Sequence, residues 1–269
     1  MIEFVDEKTV RKIAIVQEKV RPYRLKTEAW ALSQAQLRGI NTPCVLDYYR
    51  DLNGREVLVL EKIHGMHLSR RISKESVECM FKVGSQMVLL GDAPFNNCGW
   101  GWINPVSMTG ISRSWQSFLL LYVQTYHELF VRKKILGKTQ LQKVYSAIDS
   151  VDLSLSGPCL INRDIKPSNI IKDDNGKVWI VDWENAILGD PLYDLAIFGV
   201  KYGHGILWRN LVLAYGLDVS SAKYTLYEIV GLIGIIDFYH EYQINYQGRQ
   251  KQLYKLIQQF TQGSLIKNI

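Results

Sequence analysis

Three side chains suited to metal and phosphate chemistry fall close together in the chain: Asp164, Asn169 five residues on, and Asp182 thirteen residues after that. Carboxylate and amide oxygens are hard donors. Such a pair suits Mg²⁺, which usually takes one or two carboxylates from a protein and completes its shell with water and substrate phosphates. Asp164, ahead of the pair, is placed to act as a base beside the ion. Each residue alone reads as an ordinary turn or strand-end residue; the joint spacing is what points to chemistry.

The segment joining Asn169 to Asp182 reads IIKDDNGKVWIV. Asn175-Gly176 between two apolar runs predicts a hairpin with a two-residue type I′ turn, whose central residues both need positive φ. Asp174 then faces Lys177, and counting back along both strands sets Asn169 opposite Asp182. Cross-strand neighbours have Cβ atoms roughly 4.5–5.5 Å apart, so amide and carboxylate would converge on one point.

The run RDIKPSN followed by Asp182 resembles the catalytic loop and metal-binding Asp of the protein-kinase-like fold. VDWENAILGDPLYDLA is similar, more specifically, to the aminoglycoside phosphotransferase and choline kinase family, whose members carry a similar Asp-Trp-Glu followed by Gly-Asp-Pro and Asp-Leu-Ala. The likeness is concentrated in the forty residues 160–199 and is elsewhere a matter of element order. It implies an α+β, two-lobed protein-kinase-like fold. A minimal β-rich N-lobe would span residues 1–64, and a larger, mainly helical C-lobe residues 65–269.

The resemblance also implies roles. Asp164 would orient a small-molecule hydroxyl and take its proton, Asn169 and Asp182 would hold Mg²⁺ against the phosphates of ATP, and Lys166 would reach the transferred phosphoryl group. Glu28 matches the small-lobe Glu that pairs with a phosphate-binding strand Lys. Lys19 is the chosen partner and Lys12 the alternative. The backbone C=O of Glu61 and N–H of Ile63 would take the adenine edge, and Asp194, with Asp190, would buttress the catalytic loop.

Three departures matter. No glycine precedes Gly39, so the Gly-rich phosphate-covering loop is absent and backbone amides would have to come from the turn at 6–9. Asn162-Arg163 stand where many small-molecule kinases carry His-Gly. Asp-Trp-Glu in place of Asp-Phe-Gly, with no Ala-Pro-Glu segment, weighs against a protein kinase. A small-molecule kinase leads; a protein kinase and a nucleotide-binding pseudokinase or scaffold are the alternatives.

Other signals bound the reading. A chain of 269 residues with 47% hydrophobic content can bury a sizeable core. Its four cysteines form no C-x-x-C pair, which fits a reducing compartment rather than a zinc site or disulfide framework. The N-terminus has no apolar signal-like region, and no apolar run approaches the roughly eighteen residues of a membrane span, so a cytoplasmic location is expected. A net charge of +6 is modest and dispersed, giving no basis for a nucleic-acid partner. Helices are expected from Glu28 (capped by Thr27) to Arg38, after Ser73, from Trp115 to Ile135, and through four segments beyond residue 190. Residues 91–115 read as a long loop. Asp237 and Glu241, at i and i+4 with Tyr239 and Tyr242 nearby, could line an acceptor pocket or form a solvated helix face.

Overall fold

The computed structural model describes residues 2–14, 24–69 and 71–262. Its N-terminal part is an antiparallel sheet of β1 (Ile2–Phe4), β2 (Thr9–Ile13), β3 (Val45–Arg50) and β4 (Glu56–Glu61), with α1 (Arg24–Leu37) packed on one face. The strand order is β1-β2-β4-β3. The expected strand over 10–20 is described only to Ile13. Helix α1 starts one turn earlier than Thr27 suggested, and the Thr27 hydroxyl donates to the Arg24 carbonyl at 2.9 Å instead of capping. Leu25 and Glu28 are both buried and lie three residues apart, so the inward face already begins in the polar-looking segment that hid the true start.

The remaining elements follow in order: β5 (Met66–His67), α2 (Lys74–Gly91), β6 (Trp100–Ile103), β7 (Gly110–Ser112), α3 (Trp115–Arg132), α4 (Lys138–Ser150), β8 (Cys159–Ile161), β9 (Ile170–Lys172), β10 (Val178–Ile180), β11 (Ile187–Gly189), α5 (Pro191–Tyr202), α6 (Ile206–Tyr215), α7 (Ala222–Glu241) and α8 (Gln247–Thr261). The helices dominate, and with the N-terminal sheet they give the two-lobed α+β, protein-kinase-like architecture. Ser73 and Ser114 each accept from the backbone N–H three residues on and close a capping box, which fixes where α2 and α3 begin. Among the described residues, no helix is long and apolar enough to cross a membrane.

The core lies around α5 and α7. Trp115, Phe118, Tyr193, Phe198 and Tyr227 are fully buried there, and each large side chain contributes roughly 1.5–3 kcal/mol by leaving water. Gly234 on α7 is required by packing: a Cβ there would lie 1.9 Å from the Tyr122 hydroxyl. The segment over 91–115 is not a simple loop, because β6 and β7 form a hairpin that extends the sheet β7-β6-β11-β8. Its Gly99 and Gly101, at φ of 65° and 85°, bring positive-φ backbone to the start of β6, where glycine in the sequence reads as loop.

Candidate active site

Strand β8 is buried at every position and delivers the chain to Asn162, which is itself inaccessible. The Asn162 side chain supports the loop in place of a histidine. Its Oδ1 accepts the Asp164 N–H at 2.9 Å and its Nδ2 donates to the Asp182 carbonyl at 3.3 Å. Below it, the two oxygens of Asp194 accept the N–H groups of Asn162 at 3.0 Å and Arg163 at 2.6 Å. Burial pushes the Asp194 carboxyl up to about 6, against the pull of those two N–H groups. Replacing it by alanine leaves both donors buried and unpaired, at about 1–3 kcal/mol each. Asp194→Ala is therefore expected to lower the urea midpoint by an amount equivalent to roughly 2–5 kcal/mol.

Asp190 was expected to share this duty but does something else. Its Oδ1 caps α5 by accepting the Leu192 N–H at 2.9 Å, and its Oδ2 takes the Tyr227 hydroxyl at 2.8 Å and lies 3.0 Å from Lys223 Nζ.

Asp164 sits between two ammonium groups. Lys166 Nζ donates to Oδ2 at 2.5 Å, and Lys201 Nζ, from the last turn of α5, donates to Oδ1 at 2.8 Å. Burial alone would raise this carboxyl, but Lys201 and Lys166 together outweigh it and hold it below the usual carboxylate range. It is therefore ionised at neutral pH. Lys201, 37 residues away in sequence, is a contact that no local motif announces.

The hairpin brings Asn169 and Asp182 to this centre by a different register from the expected one. Ile170 faces Ile180, so Asn169 faces Val181 and not Asp182. The turn is longer than Asn-Gly alone. Asp173 accepts the N–H groups of Asn175 (3.0 Å) and Lys177 (2.9 Å) and the Trp179 indole (2.9 Å), leaving Gly176 as the left-handed residue at φ 75°. This matches a three-residue hairpin with a glycine bulge. A one-residue slip would turn Asp182 to the other face, but the backbone of Asp182 itself turns, at φ 66°, and brings its carboxylate back. Asn169 Nδ2 then lies 3.4 Å from Asp182 Oδ2, 3.2 Å from Asp164 Oδ2 and 3.1 Å from the Asp164 carbonyl.

From the N-terminal side, Lys12 on β2 spans two carboxylates. Its Nζ donates to both oxygens of the buried Glu28, at 2.8 and 2.9 Å, and to Asp182 Oδ1 at 2.9 Å. Lys19, the chosen partner of Glu28, lies outside the described residues, and the position against Glu28 belongs to Lys12. Lys12, the alternative, meets Glu28 because β2 runs antiparallel to β4 beside α1, a cross-sheet fact that distance along the sequence cannot supply. Burial opposes the Lys12 charge, but Glu28, Asp182 and Glu184 outweigh it and hold its pKa above the ordinary value. Glu28 also accepts the Trp183 N–H at 3.2 Å.

Glu28, Asp182 and Glu184 offer oxygens within 4.8 Å of one another. Glu28 is spent on Lys12 and Trp183, and Glu184 accepts from Arg24 at 2.8 Å. What is left is Asp182 Oδ2, with Lys12 on the other oxygen and the Asn169 amide, presenting Nδ2, beside it. A carboxylate and an amide that can turn its oxygen to the same point have the donor chemistry of a hard divalent ion such as Mg²⁺.

At the end of β4, Glu61 donates its N–H to the Cys44 carbonyl at 2.9 Å and accepts the Cys44 N–H on its side chain at 3.1 Å. Ile63 follows two residues past the end of that N–H ladder, outside β4. In the turn at 6–9, Asp6 Oδ1 accepts the Lys8 N–H at 2.7 Å, so one of the amides expected to cover phosphates is already held.

A cavity of about 1250 Å³ opens beside Asp164, walled by Trp102, Tyr122 and Tyr126 and by Asp237, Tyr239, Glu241 and Tyr242 of the α7 end. Asp237, half-buried, and Glu241, exposed, both border the pocket. Burial, then the neighbouring Glu241, raises the Asp237 carboxyl to about 6, with His240 opposing.

A model of the phosphotransferase enzyme family matches residues 19–225. Viomycin phosphotransferase of Streptomyces vinaceus is 28% identical over 116 residues, covering 42% of this chain and 39% of that protein. A thermostable mutant of aminoglycoside phosphotransferase APH(4)-Ia, solved as a ternary complex with AMP-PNP and hygromycin B, superposes with a TM-score of 0.68 at 16% identity, over 96% of this chain and 92% of that one. The GDP and kanamycin complex of APH(2″)-IIia superposes with a TM-score of 0.62 at 13% identity, over 97% and 89%.

Proposed function

The chain belongs to the phosphotransferase enzyme family, and on that premise we propose that it transfers the γ-phosphoryl group of ATP to a hydroxyl of a small molecule. The observation that carries this reading is the position of Asp164: an ionised carboxylate at the wall of the cavity, within hydrogen-bond reach of the Asn169 amide that also meets Asp182. The match to the viomycin enzyme spans 39% of that protein, so activity and substrate are inferred from the site of this chain.

In this reading Asp164 orients the acceptor hydroxyl and takes its proton late, since phosphoryl transfer passes through a loose transition state. Lys166 leaves Asp164 Oδ2 for the transferred phosphoryl group, and Lys201 holds the other oxygen. Lys12, fixed by Glu28, takes the α- and β-phosphates. Asn169 and Asp182 would hold Mg²⁺, which screens phosphate charge and aligns the leaving group. The adenine edge lies against the backbone at Glu61 and Ile63. The lobe boundary falls after residue 64, a placement supported by β5, which pairs with β9 of the C-terminal part. Cys44, Cys79, Cys98 and Cys159 are all free, which supports a cytoplasmic setting.

One observation favours a second reading, a nucleotide-binding protein without turnover: the covering turn has no glycine and its Lys8 amide is occupied. Nucleotide binding is tested by thermal unfolding with AMP-PNP, with and without Mg²⁺. At a hundredfold excess over Kd the wild type gains about 2.7 kcal/mol, on the order of 5–10 °C. Asp182→Asn should lose the Mg²⁺-dependent part of that shift. A wild type unmoved by Mg²⁺ and nucleotide together would remove both readings.

A further inference from the structure

Arg163 stands in the catalytic loop with a backbone φ of 63°, a left-handed conformation that glycine adopts freely and a long L side chain does not. Strain held at such a position is a pointer to use. The side chain has no carboxylate partner among the described residues. Its Nε is buried without a partner among the described residues, its Nη2 reaches only the Tyr122 hydroxyl at 3.3 Å, and it makes no ion pair among those residues. The guanidinium carbon sits 5.6 Å from the Tyr122 ring centroid and 6.0 Å from that of Tyr193. The residue as a whole keeps partial exposure, and that exposure is to the cavity beside Asp164.

The carboxylates around it are committed elsewhere. Both Asp194 oxygens accept backbone N–H groups, and Asp164 is divided between Lys166 and Lys201. Asp237, on the far wall, is not its counterion: a carboxylate against a guanidinium would be held low, whereas Asp237 is raised by burial and Glu241.

Resting on the phosphotransfer reading, we infer that Arg163 is an oxyanion subsite of the acceptor pocket, so that the acceptor is a hydroxyl compound also carrying a carboxylate or phosphate group. A planar guanidinium offers a fork of donors matched to either oxyanion. The anionic group docks on Arg163 and its hydroxyl is thereby presented to the adjacent Asp164. Lys166 and Lys201 remain with Asp164 and the phosphoryl group.

The test is thermal unfolding at constant ionic strength with propionate and, separately, inorganic phosphate, against chloride. Wild type should show saturable stabilisation by at least one of them, and in Arg163→Gly the apparent affinity should fall about ten-fold or more. The arm with the larger response identifies carboxylate or phosphate. Glycine suits φ 63°, so the variant should fold; Arg163→Met, which keeps the packing against Tyr122 and Tyr193, carries the comparison if it does not. Equal responses in wild type and variant, or a wild type no more responsive than to chloride, overturn the inference. Titrating wild type with Mg²⁺ and ADP separates the two ideas. No response there, with oxyanions still discriminating, removes the phosphotransfer reading and leaves the anion subsite.

Discussion

Replacing Lys12 by methionine is expected to lower the stability of the fold by about 3–5 kcal/mol, the effect of removing one partner from a buried ion pair. Glu28 is 1% exposed, and Lys12 supplies hydrogen bonds to both of its oxygens. Without Lys12, the 3.2 Å bond from the Trp183 N–H is what is left to the Glu28 carboxylate among the described residues. Asp182 then loses its cation as well and repels Glu28 across the same small space. The pH dependence has a definite sign. The folded pKa of Lys12 is raised, so its contribution is complete below the ordinary lysine pKa and fades only as pH rises through the higher folded value. Burial already pushes the Glu28 carboxyl up and Lys12 is the main group opposing it, so in the variant it rises further and the loss should grow as pH rises from 6 to 9 in urea titrations, with m unchanged. Making the second change, Glu28→Leu, in the Lys12→Met background should recover part of the loss, because two apolar groups need no charge partner. A Lys12→Met variant within 1 kcal/mol of wild type would contradict the assignment of Lys12 as the lysine that holds Glu28.

What the sequence discloses here is governed by distance along the chain. Asp164, Asn169 and Asp182 lie within twenty residues, and their meeting follows from a hairpin that any Asn-Gly between apolar runs predicts. The register does not, because it depends on the Asp173 carboxylate, which gathers two N–H groups and the Trp179 indole and lengthens the turn by one residue. The positive φ of Asp182 then restores the convergence that the shifted register would have broken. Pairings across the fold are silent in sequence. Lys12 against Glu28, Lys201 against Asp164, and Asn162 bridging to Asp182 each join separate elements. The departure at Asn162-Arg163 was the one local signal that something unusual supports this loop. The β6–β7 hairpin escaped notice because its strands are short and Gly101 stands inside β6, a residue type depleted in strands.

Asp164→Asn is expected to lower turnover by about 10²–10⁴-fold, the usual worth of a positioned general base, while leaving the protein folded. Asparagine keeps the shape and can still accept one hydrogen bond, but it cannot take a proton, and it removes the anion shared by Lys166 and Lys201. Because those two lysines hold the wild-type carboxyl below the usual carboxylate range, Asp164 is ionised throughout the neutral region. Wild-type activity should therefore show no acid limb from this group between pH 6 and 8.

The most direct measurement follows the release of the γ-phosphoryl group of labelled ATP, with Mg²⁺, in wild type and Asp164→Asn. It is made with water alone and then across a panel of hydroxyl compounds of differing charge, after both proteins have been seen to bind AMP-PNP. The account predicts turnover in wild type, with at least one acceptor phosphorylated faster than water, and a fall of about 10²–10⁴-fold in the variant. Equal rates in the two proteins, or nucleotide binding by both with turnover by neither, would contradict it.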